Sequence, residues 1–123
     1  MLNLDRRSRK RSWLACAGGL LAAAAIGLSA YASHGVAEPL AQSHLQTAAL
    51  YAFGHGLALA ALARSSERLL ARAALALLLL GTLLFSGSLA GNALAQWPTR
   101  LAPVGGTTLM LGWVLYALDA LRR

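Results

Sequence analysis

The sequence predicts an all-α integral membrane protein, a four-helix bundle with both termini on the cytoplasmic side. Apolar residues make up 58% of the 123 positions and charged residues only 12%, which leaves too little polar surface for a soluble domain. The uncharged residues fall into four runs, and each is long enough for a helix that crosses a hydrocarbon core of about 30 Å. Lys and Arg collect at alternate ends of these runs, as in proteins whose loop charges set their orientation.

A single membrane domain of residues 1–123 is predicted, beginning with a basic cytoplasmic tail of residues 1–12. The four spans are expected at residues 13–33, 45–63, 73–95 and 101–118. The connection from Arg64 to Arg72 is short, so spans two and three are expected to be antiparallel neighbours.

The first span also has features of a cleaved secretory signal, namely a basic head, an apolar run and the triplet Ala30-Tyr31-Ala32. The apolar run from Trp13 to Ser33 is longer than the roughly 7–15 residues of a signal core. A retained first span is therefore predicted.

The distribution of positive charge predicts the orientation of the chain. The N-terminal tail, the 64–72 connection and the C-terminus hold ten of the eleven Lys and Arg residues, and the two remaining connections hold only Arg100. Cytoplasmic loops carry the excess of Lys and Arg, so both termini are expected in the cytoplasm. The net charge of +7 is thereby explained by topology, and no nucleic-acid partner is predicted.

The connection from His34 to His44 is the longest predicted outer loop. Glu38-Pro39 is typical of a helix start, and a short interfacial helix is expected there. His34, Glu38 and His44 are the metal-competent side chains of this loop, but their spacing fits no compact zinc motif. No metal site and no cofactor are predicted.

A polar face on span two is the most informative feature of the chain. Thr47, Tyr51 and His55 recur every four residues and so share one helix face, with His55 near mid-bilayer. An ionisable residue at that depth is either a structural hydrogen-bonding group or part of a ligand or proton pathway. The candidate partners on span three are Ser86, Ser88 and Asn92.

Small residues at four-residue spacing predict helix contact faces, because membrane helices associate by close packing. Span three contains Gly87 and Gly91 at this spacing, and span four contains Thr108 and Gly112. With only four acidic residues in the chain, no paired carboxylates are predicted for acid–base catalysis, and no catalytic residue is assigned.

Four stretches together resemble an uncharacterised family of small four-helix inner-membrane proteins, a domain of unknown function with a related eukaryotic transmembrane protein. They begin at Ala32, Thr47, Leu84 and Pro103, and read ASHG, TAALYAFGHGLAL, LFSGSL and PVGG. The sequence departs from the family pattern in lacking the glycines that usually flank the first His-Gly and the Gln-Met that usually follows the tyrosine. The resemblance implies an integral protein of the cytoplasmic membrane and no known activity.

The first functional hypothesis is a non-enzymatic accessory or structural membrane protein, in contact with the lipid bilayer and present as a homo-oligomer or in a larger complex. The alternative is a minimal oligomeric transporter or channel for a small solute, ion or proton, in which the His55 face and Asn92 would line a path.

Overall fold

A computed structural model describes residues 11–122 of the protein. Four helices occupy this range: α1 (Trp13–Gly35), α2 (Pro39–Leu62), α3 (Leu69–Ala95) and α4 (Leu101–Leu121). Each is long and apolar enough to cross a membrane, so the predicted all-α, four-helix class is confirmed. Residues 1–10 and Arg123, which carry part of the predicted cytoplasmic charge, lie outside the described residues.

Local sequence explains where the first two helices begin. Ser12 precedes α1 and its Oγ accepts a hydrogen bond from the Ala15 N–H at 3.1 Å, which satisfies one of the donors at the helix start. Glu38 caps α2 by accepting from the Ala41 N–H, and Pro39 occupies the first turn, where its missing N–H removes no hydrogen bond.

The expected interfacial helix after Glu38 is wrong as a separate element, because α2 runs without a break from Pro39 to Leu62. It therefore begins six residues before the predicted start of span two at position 45. Three polar side chains in the first turns of α2, Gln42, His44 and Gln46, have hydrogen-bond partners on α1 or α3. These contacts allow polar residues to lie within a long helix.

Two helical hairpins, α1/α2 and α3/α4, pack against each other mainly through α2 and α3. Among the described residues, α1 and α4 do not contact each other. Leu59 of α2 and Leu75 and Leu78 of α3 are fully buried at the centre, where Leu109 of α4 joins them. The bundle is thus a row of helices with α1 and α4 on its flanks.

Glycines allow the closest helix approaches, but they are mostly not those of the predicted spacing motifs. A Cβ on Gly18 would lie 2.6 Å from the carbonyl oxygen of Gly56, and one on Gly81 would lie 2.9 Å from that of Gly105. These pairs bring α1 close to α2, and α3 close to α4.

Gly87 does not contact another helix within the described residues, because nothing lies within 4 Å of the position of its Cβ. Gly91 packs against the Trp97 indole of the following connection instead of another helix. Gly112 does face α3, with Leu78 Cδ2 at 2.9 Å from its Cβ position, while Thr108 donates to Val104 O within α4. Small residues at four-residue spacing identify a helix face without bulky side chains, but the spacing does not say whether that face contacts lipid or another helix.

Candidate functional site

His55 of α2 is half-buried and connects its helix to α4. The Trp113 indole N–H donates to His55 Nε2 at 3.0 Å, and His55 Nδ1 lies 2.8 Å from the carbonyl oxygen of Tyr51. An indole nitrogen can only donate, so Nε2 accepts and the proton of the neutral ring is on Nδ1, which donates to Tyr51 O. Both ring nitrogens are therefore hydrogen-bonded.

The hydrogen-bond partner of His55 differs from the one expected from the sequence, which was Ser86, Ser88 or Asn92 of span three. The actual partner, Trp113, comes from the fourth helix. Sequence spacing orients a side chain around its own helix but does not say which neighbouring helix it meets. The aromatic character and depth of Trp113 were the only signals in the sequence that could have identified it.

An aromatic cluster surrounds this hydrogen bond and includes residues from three helices. The ring centroids of Tyr51 and Phe85 are 4.6 Å apart, and those of His55 and Trp113 are 5.8 Å apart. Tyr116 meets the Trp113 ring edge-on at 6.0 Å. Such geometries stabilise aromatic pairs beyond their buried area, so the cluster connects α2 to both α3 and α4.

Beside the cluster lies a groove of about 840 Å³, which we call the α4 groove. Its lining is mostly apolar, and the polar side chains within it are few. Thr107 donates to Pro103 O of its own helix at 2.8 Å, and His55 is hydrogen-bonded as described above. The α4 groove therefore suits an apolar ligand or lipid chain better than a polar one, because few of its side chains bind water.

The other members of the predicted intramembrane cluster are spread along the bundle. Ser86 is buried and its hydroxyl donates to Ala48 O of α2 at 2.8 Å, which is a second cross-helix hydrogen bond. Ser88 lies nearer the α3–α4 connection, at 3.4 Å from Pro98 O. Thr47 is half-buried on α2. These positions do not form one continuous site with His55.

Asn92 organises the end of the bundle at which α3 joins α4. Its Nδ2 donates to Trp97 O at 2.8 Å, and its Oδ1 lies 2.9 Å from His44 Nδ1. Because Oδ1 accepts, His44 donates from Nδ1. His34 bonds Ala30 O within α1, and Glu38 caps α2, so the structure does not bring together the three outer-loop residues considered as metal-competent.

A polar seam between α1 and α2 was missed in the sequence. Ser29 Oγ donates to Gln46 Oε1 at 2.8 Å, and Gln46 Nε2 donates to Ser33 Oγ at 2.8 Å. Gln42 Nε2 donates to Ala32 O at 2.9 Å. The signal was present, since Ser29/Ser33 and Gln42/Gln46 both have the four-residue spacing that puts side chains on one helix face.

Comparison with known proteins identifies the family of this chain. Residues 28–106 match the family model described as a protein of unknown function, DUF423. The chain belongs to this family. The matched segment of this DUF423 protein includes His44, His55 and Asn92, whereas Trp113 lies beyond it.

Three relatives of this DUF423 protein are named UPF0382 membrane proteins. The one from Haemophilus influenzae is 35% identical over 108 residues, covering 79% of this chain and 84% of the relative. Those from Schizosaccharomyces pombe and Staphylococcus epidermidis are 32% and 30% identical, covering 72% and 85% of this chain and 84% and 92% of the relatives. No solved structure matches the chain.

These findings confirm the resemblance to an uncharacterised membrane protein family. The relatives' names specify a membrane protein, which agrees with the four apolar helices of this chain. Neither those names nor the family description states an activity.

Proposed function

We propose that this DUF423 protein is a non-enzymatic accessory or structural component of the cytoplasmic membrane, in which His55 and Trp113 clamp α2 to α4. The observation that carries the proposal is that both nitrogens of this intramembrane imidazole are already engaged, one by Trp113 and one by Tyr51 O. A neutral histidine whose two ring nitrogens are both hydrogen-bonded has a structural role at this depth, without any ligand or exchanging proton.

The geometry gives less support to the transport alternative. A path for an ion or polar solute needs successive polar groups lining a water-filled cavity. The space beside His55 is the apolar α4 groove, and Ser86 and Asn92 are committed to other hydrogen bonds. These contacts favour a clamp over a conducting path within the described residues.

Loss of the clamp is expected to loosen the bundle. His55→Ala and Trp113→Phe should each lower the free energy of unfolding in detergent by about 0.5–2 kcal/mol, the range for interhelical hydrogen bonds in membrane proteins and model membrane peptides. Trp113→Phe is the cleaner change, because it keeps an aromatic ring and removes the N–H donor. Reversible unfolding in mixed micelles measures both values.

Thr107→Val is the matched control for the clamp, since the Thr107 hydroxyl also lines the α4 groove but bonds only within α4. The double variant of His55 and Trp113 should lose less than the sum of the two single variants, because both remove the same bond. Unchanged stability together with altered proton or solute flux in vesicles would contradict the clamp and favour transport.

We also propose that both termini lie in the cytoplasm. Arg11, Arg64 and Arg72 line one cavity at the end of the bundle where α1 begins, while Arg100 lies at the opposite end, where α4 begins. This asymmetry agrees with the positive-inside rule.

In a Cys16→Ala background, an impermeant thiol reagent applied to intact cells should label Val36→Cys and spare Ser65→Cys. Labelling of both positions, or of Ser65→Cys alone, would refute the orientation.

The flanking positions of α1 and α4 support a further part of the proposal, namely that the protein acts within a homo-oligomer or a larger membrane complex. Each flank exposes large apolar side chains, such as Ile26 of α1 and Val114 of α4, that lipid or another helix can cover. The mass of particles extracted from native membranes with their lipid tests this, since a single 12.8 kDa chain in each particle would argue against an assembly.

A further inference from the structure

We infer that the cavity between the start of α1, the end of α2 and the start of α3 binds the headgroup of an acidic phospholipid. This space, the basic cavity, has a volume of about 260 Å³ and is lined by six residues: Arg11, Ser12, Ala63, Arg64, Glu67 and Arg72. The inference is independent of the proposed clamp, because it concerns the end of the bundle at which charged residues meet the membrane surface.

The charge of the basic cavity favours an anionic guest. Three guanidinium groups and one carboxylate line the basic cavity, so its side chains carry a net charge of +2. Arg64 and Glu67 have partners of their own, and the inference therefore rests on Arg11 and Arg72. Arg72 donates from Nη1 to Ser66 O at 3.4 Å. A guanidinium has five N–H donors, so other donors of Arg72 remain for a guest. Arginine is well suited to phosphate because two of its N–H groups can bind two phosphate oxygens at once.

Backbone polarity acts in the same direction. Helices α1 and α3 both begin at this end of the bundle, and neither has an acidic residue in its first turn to neutralise the partial positive charge. Arg68, which precedes α3, makes no side-chain capping hydrogen bond. The end of α2 at the same cavity carries the opposite partial charge, but two helix starts outweigh one helix end, so the backbone adds to the potential created by the arginines.

The surroundings of the basic cavity favour a lipid over a free anion. Trp13, directly after Ser12, is 76% exposed, and tryptophan in such a position is typical of the interface between headgroups and hydrocarbon. Leu69, two residues after Glu67 of the cavity lining, is 84% exposed and provides an apolar surface at the same end of the bundle. A phosphate with attached acyl chains can contact both kinds of surface at once.

The size of the basic cavity fits a headgroup better than a whole organic ligand. Pockets for drug-sized molecules have volumes of roughly 300–1,000 Å³, whereas this one has about 260 Å³. A phosphodiester could enter while its acyl chains remain in the bilayer. Acidic phospholipids are attracted to clusters of Lys and Arg next to membrane spans, which makes them the expected class of guest.

Native mass spectrometry of the full-length protein in detergent tests the inference. Phosphatidylglycerol is expected to bind more tightly than phosphatidylcholine with the same acyl chains. The Arg11→Gln/Arg72→Gln variant should bind phosphatidylglycerol about 25-fold more weakly, given the usual contribution of a basic residue at an anionic surface. Arg68→Gln/Arg122→Gln is the matched control, because it removes two charges from the same end but outside the basic cavity. Its affinity should change much less.

Equal losses in the two double variants would overturn the site, since they would indicate non-specific attraction to the basic end. Binding of inorganic phosphate that fully displaces phosphatidylglycerol, with no gain from the acyl chains, would overturn the lipid assignment and identify a free-phosphate site. If Arg11→Gln/Arg72→Gln fails to fold, the wild type still tests the inference: phosphatidylglycerol binding should weaken as salt rises from 50 to 500 mM, because the screening length falls from about 14 Å to about 4 Å. Binding that ignores salt would refute the inference.

Discussion

Gly105→Ala is expected to lower the free energy of unfolding by about 3 kcal/mol, near the upper end of the usual range for overpacking. A Cβ at this position would collide with the backbone nitrogen of Phe85 and lie 2.8 Å from Gly81 O. Both obstacles are backbone atoms, so no side-chain rotation can relieve the overlap. Helices α3 and α4 would have to separate, which would also weaken their contacts around Leu109. Unfolding in mixed micelles at several denaturant fractions measures the loss.

Gly106→Ala is the matched control for this prediction. It adds the same methyl group one residue further along α4, where the nearest atom of another helix is Phe85 Cδ1 at 3.9 Å, an ordinary contact distance. Because alanine has a higher helix propensity than glycine, the control should be neutral or slightly stabilising. If both variants unfolded alike, the close approach of α3 and α4 at Gly105 would be wrong.

A second large effect is expected at Gly18, where α1 approaches α2. The methyl group of Gly18→Ala would lie 2.6 Å from Gly56 O and 2.7 Å from Ala60 N, again against backbone. We expect a loss of about 2 kcal/mol, smaller than at Gly105 because the added methyl group would overlap its nearest backbone atom less severely. The same unfolding assay applies, and proteolysis near residue 36 should report any detachment of α1.

Gly19→Ala provides the comparison for Gly18→Ala, since no atom lies within 4 Å of the Cβ that it adds. The substitution is one residue away and chemically identical, so a difference between the two variants isolates the interhelical contact. Gly56→Ala should behave like Gly18→Ala, because its Cβ would lie 2.6 Å from Gly18 O. A stable Gly18→Ala protein with an intact α1 would contradict the packing described for this hairpin.

The helices themselves were largely predictable from local properties. The starts of α1 at Trp13 and α4 at Leu101 follow from where uncharged sequence begins, and Glu38-Pro39 identifies the start of α2. The error at the second span arose because Gln42 and His44 were interpreted as loop residues. Their hydrogen bonds to Ala32 O and Asn92 Oδ1 satisfy them inside the bundle, and hydropathy takes no account of such partners.

The candidate site was predictable only in part. The sequence singled out Tyr51 and His55 as a polar face at mid-bilayer, and the structure shows them adjacent, with ring centroids 6.0 Å apart. It did not identify Trp113, which is 58 residues away from its hydrogen-bond partner. Nor did it show that Gly87 faces outward while Gly81 and Gly105 allow the close approach of α3 and α4.

By itself, the sequence determined that this chain forms four long apolar helices, because hydrocarbon offers no hydrogen bonds and each segment must satisfy its own backbone. Only the tertiary structure decided which faces of those helices meet. Apolar residues cover the helices on nearly every side, and lipid is as apolar as a neighbouring helix, so hydropathy does not distinguish the two. The choice depends instead on close packing at Gly18 and Gly105 and on hydrogen bonds such as that of His55 with Trp113, which exist only once the helices have assembled.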